Sequence, residues 1–300
     1  MDGHPARGGS IACPLIQSGP ARAGTVGSEP LEQDARVLAL VGPGRAGTAV
    51  AAGLVARGWS VNAVAGRDPS ASSTVTTAER FGAAATTIED VARGAALVVI
   101  AVPDGAIRDV ATQLGGVSAG ALVIHLSGAL GLDALDAVAA RRAVLHPLQS
   151  LPARSEGLRP PSTAHLEGAW AAVAGDPEVE VLARELGMHP FAVPDADRAR
   201  YHAAACIASN HLVALLGAVE RIAPVPLQAF VPLVRSTVDN VEELGPRQAL
   251  TGPVARGDVA TIRAHLDALP EPEHELYRAL AGEARRLADR NEPELVELTG

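Results

Sequence analysis

The sequence predicts an α/β protein in which a doubly wound parallel sheet is followed by a mainly helical C-terminal domain. Strand and helix patterns alternate from Arg36 to His146, as in βαβ units. The apolar runs in this part are continuous, which is typical of parallel strands buried on both faces. From Ala196 onward the apolar spacing is helical. A chain of 300 residues, 48% of them apolar, is long enough for about two domains with substantial cores.

The N-terminal elements are defined in order by apolar runs that end at glycine, proline or a small polar residue. The predicted strands cover residues 36–42, 60–65, 84–87, 96–102, 121–126 and 143–146. The predicted helices between them cover residues 45–57, 70–82, 89–93, 104–113 and 131–140.

The second half of the chain changes from mixed to helical patterning. Residues 147–166 are rich in Pro and Ser and are predicted to cross between the two halves. A strand over 169–174, a helix over 177–186 and a strand over 189–193 follow, and then helices over 196–222, 226–244, 258–268 and 272–290. The predicted boundaries are a disordered tail over 1–34, a sheet domain over 35–166, a sheet extension or connection over 167–195, and a helical domain over 196–300.

A glycine motif joins the first strand to the first helix. Gly42 allows a tight turn, Gly44 lets a pyrophosphate approach the backbone, and Gly47 lets the helix pack closely on the strand. The free N–H groups at the start of that helix favour phosphate. This order of strand, motif and helix predicts a Rossmann dinucleotide site, although a tight turn without a ligand has the same glycines. The residues predicted to contact the nucleotide here are Gly42, Pro43, Gly44, Arg45, Ala46 and Gly47.

The end of the second predicted strand favours NADP(H). NAD-binding domains usually carry Asp or Glu there to bind the ribose 2′-hydroxyl, whereas this chain has Gly66 and Arg67. An arginine pairs well with a 2′-phosphate. Two alternatives stay open: Arg67 is an ordinary surface charge, or Asp68 takes the place of the missing acid and NAD is favoured.

Three later strands end in residues suited to the nicotinamide side of the crevice, because ligands of open parallel sheets lie beyond the carboxyl ends of the strands. Val102 and Pro103 are predicted to contact the cofactor. Ser127 is predicted to exchange hydrogen bonds with a substrate, and His146 to move a proton. The structural alternatives are a helix N-cap for Ser127 and a satisfied turn histidine for His146.

The first long helix of the C-terminal half carries polar residues on one face. His202, Cys206 and Asn210 are spaced i, i+4, i+8, and Ser209 and His211 flank Asn210. This stripe predicts a helix face that lines a wet cleft. The alternative is a set of hydrogen-bonded polar residues buried at a domain or subunit interface.

The segment 250–258 is predicted to be a loop between helices that ends at an N-cap, Asp258. Arg256 in this loop is a candidate to hold a substrate carboxylate with two hydrogen bonds, with Ser209 as a second substrate contact. A structural ion pair of Arg256 with a nearby acid has the same sequence pattern.

Composition excludes several classes of function. The net charge is −9 with no basic run, which argues against nucleic acid and against an anionic membrane surface. No uninterrupted apolar run has the length of a membrane span. The absence of lysine excludes Walker-type, Schiff-base and lysine general-acid chemistry. Cys13 and Cys206 form neither a metal nor a disulfide pattern, so we predict no metal and a cytoplasmic location.

Five segments together resemble the bacterial proteins that join a Rossmann-like domain to a DUF2520 domain, over about residues 36 to 290. These segments are GPGRAG (42–47), HLSG (125–128), LHPLQS (145–150), YHAAACIASNHL (201–212) and TGPVARGD (251–258). That family is similar to the 6-phosphogluconate dehydrogenase-like group, which includes pyrroline-5-carboxylate reductase, prephenate dehydrogenase and ketopantoate reductase. For some members the resemblance implies ketopantoate reduction in pantothenate synthesis.

The same relatives imply roles for individual residues, by analogy only. Prephenate dehydrogenases carry a catalytic His-Pro after a strand and a Ser before it, which His146-Pro147 and Ser127 match. Ketopantoate reductases place a catalytic Lys and Asn two helical turns apart, and His202 and Asn210 have that spacing. Because this chain has no lysine, His202 or His146 would take over as the acid.

The sequence therefore predicts a homodimeric, NADPH-dependent oxidoreductase that reduces a small 2-oxo acid, with ketopantoate as the first candidate. His146 or His202 would supply the proton, Ser127 and Asn210 would polarise the carbonyl, and Arg256 would hold the carboxylate. The alternatives are a prephenate- or arogenate-type dehydrogenase and a non-catalytic NADP(H)-binding regulatory protein.

Overall fold

The computed structural model describes residues 36–151 and 166–300. The predicted tail over 1–34 and most of the predicted crossing segment over 147–166 lie outside the described residues.

One sheet of eight strands organises the described part of the N-terminal two thirds, in the order β3-β2-β1-β4-β5-β6-β7-β8. The strands are β1 Val37–Val41, β2 Ser60–Ala65, β3 Ala84–Thr86, β4 Leu97–Ile100, β5 Leu122–His125, β6 Arg141–Leu148, β7 Trp170–Gly175 and β8 His189–Ala192. Strands β1 to β6 are parallel, β7 is antiparallel to β6, and β8 is parallel to β7. The sheet confirms the predicted fold class and includes the segment predicted as an extension.

Helices cover both faces of the sheet, because alternate residues of each strand point to opposite sides. Leu38 and Leu40 belong to one core cluster together with Leu54 of the first helix. Ala39 and Val41 belong to the other cluster, on the opposite face. The helices of this part are α1 Arg45–Val55, α2 Ser72–Phe81, α3 Ile107–Gln113 and α4 Glu178–Glu185.

Two predicted helices are wrong. Residues 89–93 form hydrogen-bonded turns, and the helix predicted over 131–140 is reduced to a single 3-10 turn, Leu132–Leu135. In the second case the Leu135 carbonyl accepts from Val138 N–H at 2.9 Å and from the Arg142 guanidinium at 3.2 Å. In an α-helix that carbonyl would accept from Ala139 N–H, so the chain has already left the α-helical path before β6.

The C-terminal region is helical, as predicted, but contains more helices than the sequence pattern indicated. The predicted helix over 196–222 is α5 Arg198–Cys206 and α6 Leu212–Ile222, joined by a π-helical turn over Ile207–His211. The others are α7 Val231–Leu244, α8 Pro246–Ala249, α9 Pro253–Arg256, α10 Val259–Ala268, α11 His274–Leu287 and α12 Pro293–Thr299. Asp258 is the predicted N-cap of α10, since its carboxylate accepts from Thr261 N–H at 3.1 Å.

The helix over residues 195–222 is long and apolar enough, by length and composition, to cross a membrane. The mean hydropathy of its most apolar window is 1.5. Ser, Asn and His divide the apolar residues of this window into shorter runs, so the sequence shows no uninterrupted apolar run of that length. Only 6% of its most apolar window is buried. Large apolar side chains such as Val213 (69% exposed) therefore lie uncovered in the single chain.

Candidate active site

The turn between β1 and α1 has the geometry that its glycines predict. Gly42 adopts a φ of +92°, and its N–H donates to Ala65 O at 2.8 Å. A Cβ on Gly42 would lie 2.5 Å from Ala101 O, and one on Gly47 would lie 2.7 Å from Ala101 Cβ. A Cβ on Gly44 would meet nothing closer than 3.9 Å. Gly42 and Gly47 are thus required by packing, whereas Gly44 leaves open space above the turn.

The N-terminus of α1 is suited to an anion. Gly44 is its N-cap, without a side-chain capping bond, and its first turn contains no acidic residue. The first N–H groups of a helix have no intrahelical partner and, with the helix dipole, attract negative charge. Val102 adjoins this turn, because a Cβ on Gly42 would lie 3.0 Å from Val102 Cγ1. The residues present therefore fit the pyrophosphate of a dinucleotide.

Arg67, which follows β2, is available to pair with an anion. Arg67 is exposed and forms no ion pair with the rest of residues 36–151 and 166–300. Asp68 is hydrogen-bonded within its own turn, since its Oδ1 accepts from both Ser70 N–H and Ser70 Oγ at 2.8 Å. These hydrogen bonds lower the pKa of Asp68. A Cβ on Gly66 would overlap Thr74 Oγ1, so the chain needs glycine between β2 and Arg67.

The end of β5 forms a rigid turn around a buried histidine. His125 Nδ1 accepts from Ser127 N–H at 3.2 Å, so its other nitrogen, Nε2, donates to Gly131 O at 3.0 Å. Burial lowers the pKa of His125 and keeps the imidazole neutral. Ser127 Oγ accepts from Ala129 N–H and Leu130 N–H at 3.2 and 3.1 Å. Ser127 therefore caps a turn rather than a helix, and its hydroxyl proton stays free to donate.

His146, near the end of β6, lies at the centre of the site. Its Nδ1 is 2.8 Å from the Tyr201 hydroxyl oxygen, and its ring centroid is 6.0 Å from that of His202. Gly128 fits between the two imidazoles: a Cβ there would lie 2.8 Å from both His146 Nε2 and His202 Cδ2. The β5 turn, β6 and α5 therefore meet at one point.

His146 is neutral at physiological pH. Burial first, and then the charges of His202 and Arg198, lower its pKa to about 4. A group with such a pKa is almost entirely unprotonated near pH 7. Any proton that His146 gives to a substrate near pH 7 must therefore come from the neutral imidazole.

The lowered pKa predicts that acid weakens the fold. Because the folded-state pKa lies below the unfolded value of 6.5, the unfolded chain binds more protons between pH 6.5 and 4. The contribution of His146 to the free energy of unfolding is complete above pH 6.5 and is lost as the pH falls to 4. The loss amounts to at most about 3 kcal/mol. Urea unfolding across this range measures the loss. The His146→Asn variant should show a flatter dependence, and an identical slope in both proteins would contradict the assignment.

A cavity of about 700 Å³ opens beside His146. It is bordered on one side by residues 146–150 and on the other by α5, the π-helical turn and the start of α6. Its polar lining residues are His146, Gln149, Ser150, Tyr201, His202, Cys206, Ser209 and Asn210. The π-helical turn shifts the phase of the helix at Ile207–His211, and both Ser209 and Asn210 line the cavity. No charged side chain lines it among the described residues.

Four of the predicted site residues, His146, His202, Ser209 and Asn210, line this cavity, and Ser127 is buried one residue from Gly128. Arg256 does not line it; this residue is exposed at the end of α9. The sequence prediction missed Tyr201 and Arg198. Arg198 is completely buried, and its Nη1 and Nη2 have no hydrogen-bond partner in the described chain. The Arg-x-x-Tyr-His spacing at the start of the polar stripe was an available signal for both residues.

Family models match two parts of the sequence. Residues 16–150 match a Rossmann-like domain, and residues 167–284 match a domain of unknown function, DUF2520. The two matched segments together make up most of the chain. The Rossmann-like domain supplies His146 and Ser150 to the cavity, and the DUF2520 domain supplies Tyr201, His202 and Asn210. The cavity is therefore the junction of the two domains.

Solved structures share this two-domain fold. An oxidoreductase from Bacteroides fragilis, provisionally described as NADP oxidoreductase BF3122, is 21% identical with a TM-score of 0.72, covering 85% of this chain and 99% of that one. A pyrroline-5-carboxylate reductase from Streptococcus pyogenes is 15% identical (TM-score 0.57), covering 89% and 99%. A reductive aminase from Aspergillus terreus, in complex with NADPH and ethyl-5-oxohexanoate, is 15% identical (TM-score 0.53), covering 89% and 91%. At these identities the likeness establishes the fold. No curated protein matches the chain.

Proposed function

We propose that this protein is an NADP(H)-dependent oxidoreductase that reduces a polarised double bond of a small substrate. The observation that carries the proposal is that the glycine turn and the His146 site lie at the same edge of the sheet. The Gly42 turn and the uncapped start of α1 lie at the carboxyl end of β1, and Gly128 and His146 lie near the carboxyl ends of β5 and β6. In open parallel sheets this edge binds ligands. The descriptions of the Bacteroides, Streptococcus and Aspergillus proteins support the same chemistry.

The protein's share of the reaction is binding, orientation and proton supply. When bound, the nicotinamide supplies the hydride. The N–H groups that start α1 hold the pyrophosphate, and Arg67 pairs with the 2′-phosphate. The Ser127 hydroxyl donates a hydrogen bond to the substrate heteroatom, and Asn210 adds a second hydrogen bond. His146 supplies the proton that balances the reaction.

For the substrate, we propose a small 2-oxo acid, with ketopantoate as the first candidate. The cavity lining is uncharged and mostly apolar, with a few polar side chains, which suits a small molecule oriented by a few hydrogen bonds. Ser209, in the π-helical turn between α5 and α6, contacts the substrate. Arg256 lies outside the cavity of a single chain, so its contact with the carboxylate requires movement of the DUF2520 domain or a second copy.

Reduction of a C=N bond is the second candidate, favoured by the likeness to the pyrroline-5-carboxylate reductase and the reductive aminase. Purified protein and NADPH are mixed with 2-oxo acids, including ketopantoate, and with cyclic imines, including 1-pyrroline-5-carboxylate. The fall in NADPH absorbance is then followed. Turnover of ketopantoate supports the first proposal, and turnover of imines alone supports the second. Oxidation of prephenate with NADP⁺ would replace both with a dehydrogenase, and tight NADPH binding without turnover would indicate a regulatory protein.

Replacing Arg67 with alanine is expected to weaken NADPH binding by about 1.5–3 kcal/mol and NADH binding little, since the guanidinium contacts only the 2′-phosphate. Fluorescence titration with both nucleotides measures the two affinities. Arg184→Ala on α4 is the matched control, because Arg184 is exposed and pairs with Glu180, away from the turn between β1 and α1. Equal losses for NADPH and NADH would remove Arg67 from the 2′-phosphate site.

We also propose that two copies of the chain associate through the DUF2520 domain. Helix α7 has no buried residue although it is amphipathic, and Leu233 and Val238 on it are 63% and 52% exposed. Exposed apolar surfaces of this kind usually mark an interaction site. Sedimentation equilibrium of the intact chain measures the association directly.

A further inference from the structure

The Tyr201–His146 contact has the geometry of a hydrogen bond along which a proton can move. The Tyr201 hydroxyl oxygen lies 2.8 Å from His146 Nδ1, and the two rings meet edge to face at 5.6 Å and 86°. Both residues line the cavity. Phe191 of β8 packs against the Tyr201 ring at 5.8 Å and fixes its position from the other side. The hydroxyl therefore points at one specific nitrogen.

The opposite edge of the His146 ring faces the reacting end of the site. Its Nε2 approaches Gly128, which follows Ser127 in the β5 turn. When Tyr201 donates to Nδ1, the neutral imidazole must carry its proton on Nε2. That proton then faces the residues that we propose to hold the substrate heteroatom.

A buried positive charge lies one helical turn before Tyr201. Arg198 is completely buried, and only its Nε has a partner, Asp195 Oδ1 at 3.1 Å. Its Nη1 and Nη2 have none among the described residues. A buried guanidinium with two nitrogens left without a partner is costly, and it stabilises a neighbouring anion. The charge of Arg198 indeed lowers the pKa of Tyr201, against the larger effect of burial, which raises it to about 12.

We propose that Tyr201 and His146 form a proton relay, in which Tyr201 recharges the imidazole as it protonates the substrate and Arg198 stabilises the tyrosinate. The inference rests on the proposed function, whose reduced nicotinamide supplies the two electrons. The Nε2–H bond breaks as an O–H or N–H bond forms on the substrate. The Tyr201 O–H bond breaks as the proton moves to Nδ1. Water then gives a proton to Nε2 and leaves as hydroxide, and the Nδ1 proton returns to the tyrosinate.

A second Tyr–His pair in the same chain provides a matched control. Tyr277 and His265 repeat the contact, with 2.7 Å between the hydroxyl oxygen and Nδ1 and an edge-to-face distance of 5.8 Å. Neither residue lines the cavity. These are the two tyrosines of the chain, so each phenylalanine variant removes one pair.

The first test needs no substrate. In protein labelled with ¹⁵N-histidine, the His146 resonances, identified from their absence in His146→Asn, should be those of the neutral Nε2–H tautomer. Tyr201→Phe should shift this tautomer population, and Tyr277→Phe should shift only that of His265. An Nδ1–H tautomer in the unmodified protein, or no shift in Tyr201→Phe, would overturn the relay.

The second test measures turnover of whichever substrate the NADPH assays identify. Tyr201→Phe should lower kcat by about 10²-fold and leave NADPH affinity unchanged, whereas Tyr277→Phe should retain full activity. Arg198→Met should lower kcat by about 10-fold alone, but not further in the Tyr201→Phe protein, because it acts through the tyrosinate. Additive losses would overturn the role of Arg198, and unchanged kcat in Tyr201→Phe would overturn the relay. Failure to bind NADPH would instead reject the proposed function, and the tautomer measurement would still decide the pair.

Discussion

Replacing Gly42 with alanine is expected to lower the free energy of unfolding by about 3–5 kcal/mol and to remove NADPH binding. The φ of +92° strains any L-residue, and the new Cβ would lie 2.5 Å from the Ala101 carbonyl oxygen. That oxygen belongs to the backbone that continues β4, so it cannot rotate away as a side chain would. Relief of the clash must separate the turn from β4, which displaces the start of α1. Urea unfolding and NADPH fluorescence titration measure the two effects.

Gly58→Ala separates the clash from the strain. Gly58 has a similar φ of +88°, but a Cβ there would meet nothing within 4 Å. Its expected cost is about 1–2 kcal/mol, with full NADPH binding. Equal stability losses at the two positions would mean that the close approach of the turn to β4 has no energetic role. Normal NADPH binding by folded Gly42→Ala would remove the turn from the cofactor site.

The turn between β1 and α1 was predictable because its chemistry is local. The glycines at positions 42 and 47 are predicted by a strand, a turn and a helix that are adjacent in sequence, although their close contact with Ala101 depends on where β4 lies. The same holds for Asp258, whose partner Thr261 is three residues away. Most strand bounds also followed from the sequence, since buried parallel strands appear as continuous apolar runs.

The Tyr201–His146 contact was not predictable, because 55 residues separate the two partners. Its existence depends on where α5 crosses the sheet edge, which no periodicity specifies. The burial of Arg198 depends on the same placement, since an arginine in the first turn of a helix is normally exposed. The pKa of His146 follows from that neighbourhood, so the sequence could propose His146 as an acid but not its protonation state.

The short C-terminal helices that were not predicted share a sequence signal, a proline at the first position. Helices α8, α9 and α12 each begin at proline, namely Pro246, Pro253 and Pro293. Proline is favoured at the first helical position because its missing N–H has no intrahelical partner there. The sequence predicted 250–258 as a loop, although α9 begins within it at Pro253. The helix predicted over 131–140 is the opposite case, since its pattern is adequate but the chain forms only one 3-10 turn there before β6.

Replacing His146 with asparagine is expected to lower kcat by about 10³–10⁴-fold while leaving NADPH affinity unchanged. The asparagine oxygen replaces Nδ1 as an acceptor for the Tyr201 hydroxyl, so the contact with α5 has a substitute. The variant specifically removes Nε2, the atom that faces Gly128 and the proposed substrate position. Because burial keeps His146 neutral, with a pKa of about 4, its imidazole donates without first becoming charged. The loss should therefore be similar at every pH between 6 and 8, which steady-state kinetics across that range measures.

Two further histidine variants distinguish the proton donor from its neighbours. His265→Asn removes the other histidine that contacts a tyrosine hydroxyl, and it should leave kcat unchanged because His265 lies outside the cavity. His202→Asn removes the second imidazole beside Gly128 and tests the alternative acid. If His202→Asn abolishes turnover and His146→Asn retains it, the proton comes from the DUF2520 domain rather than from the end of β6. The reverse result places the donor on the rigid sheet, where the Rossmann-like domain holds it independently of any movement of the helices.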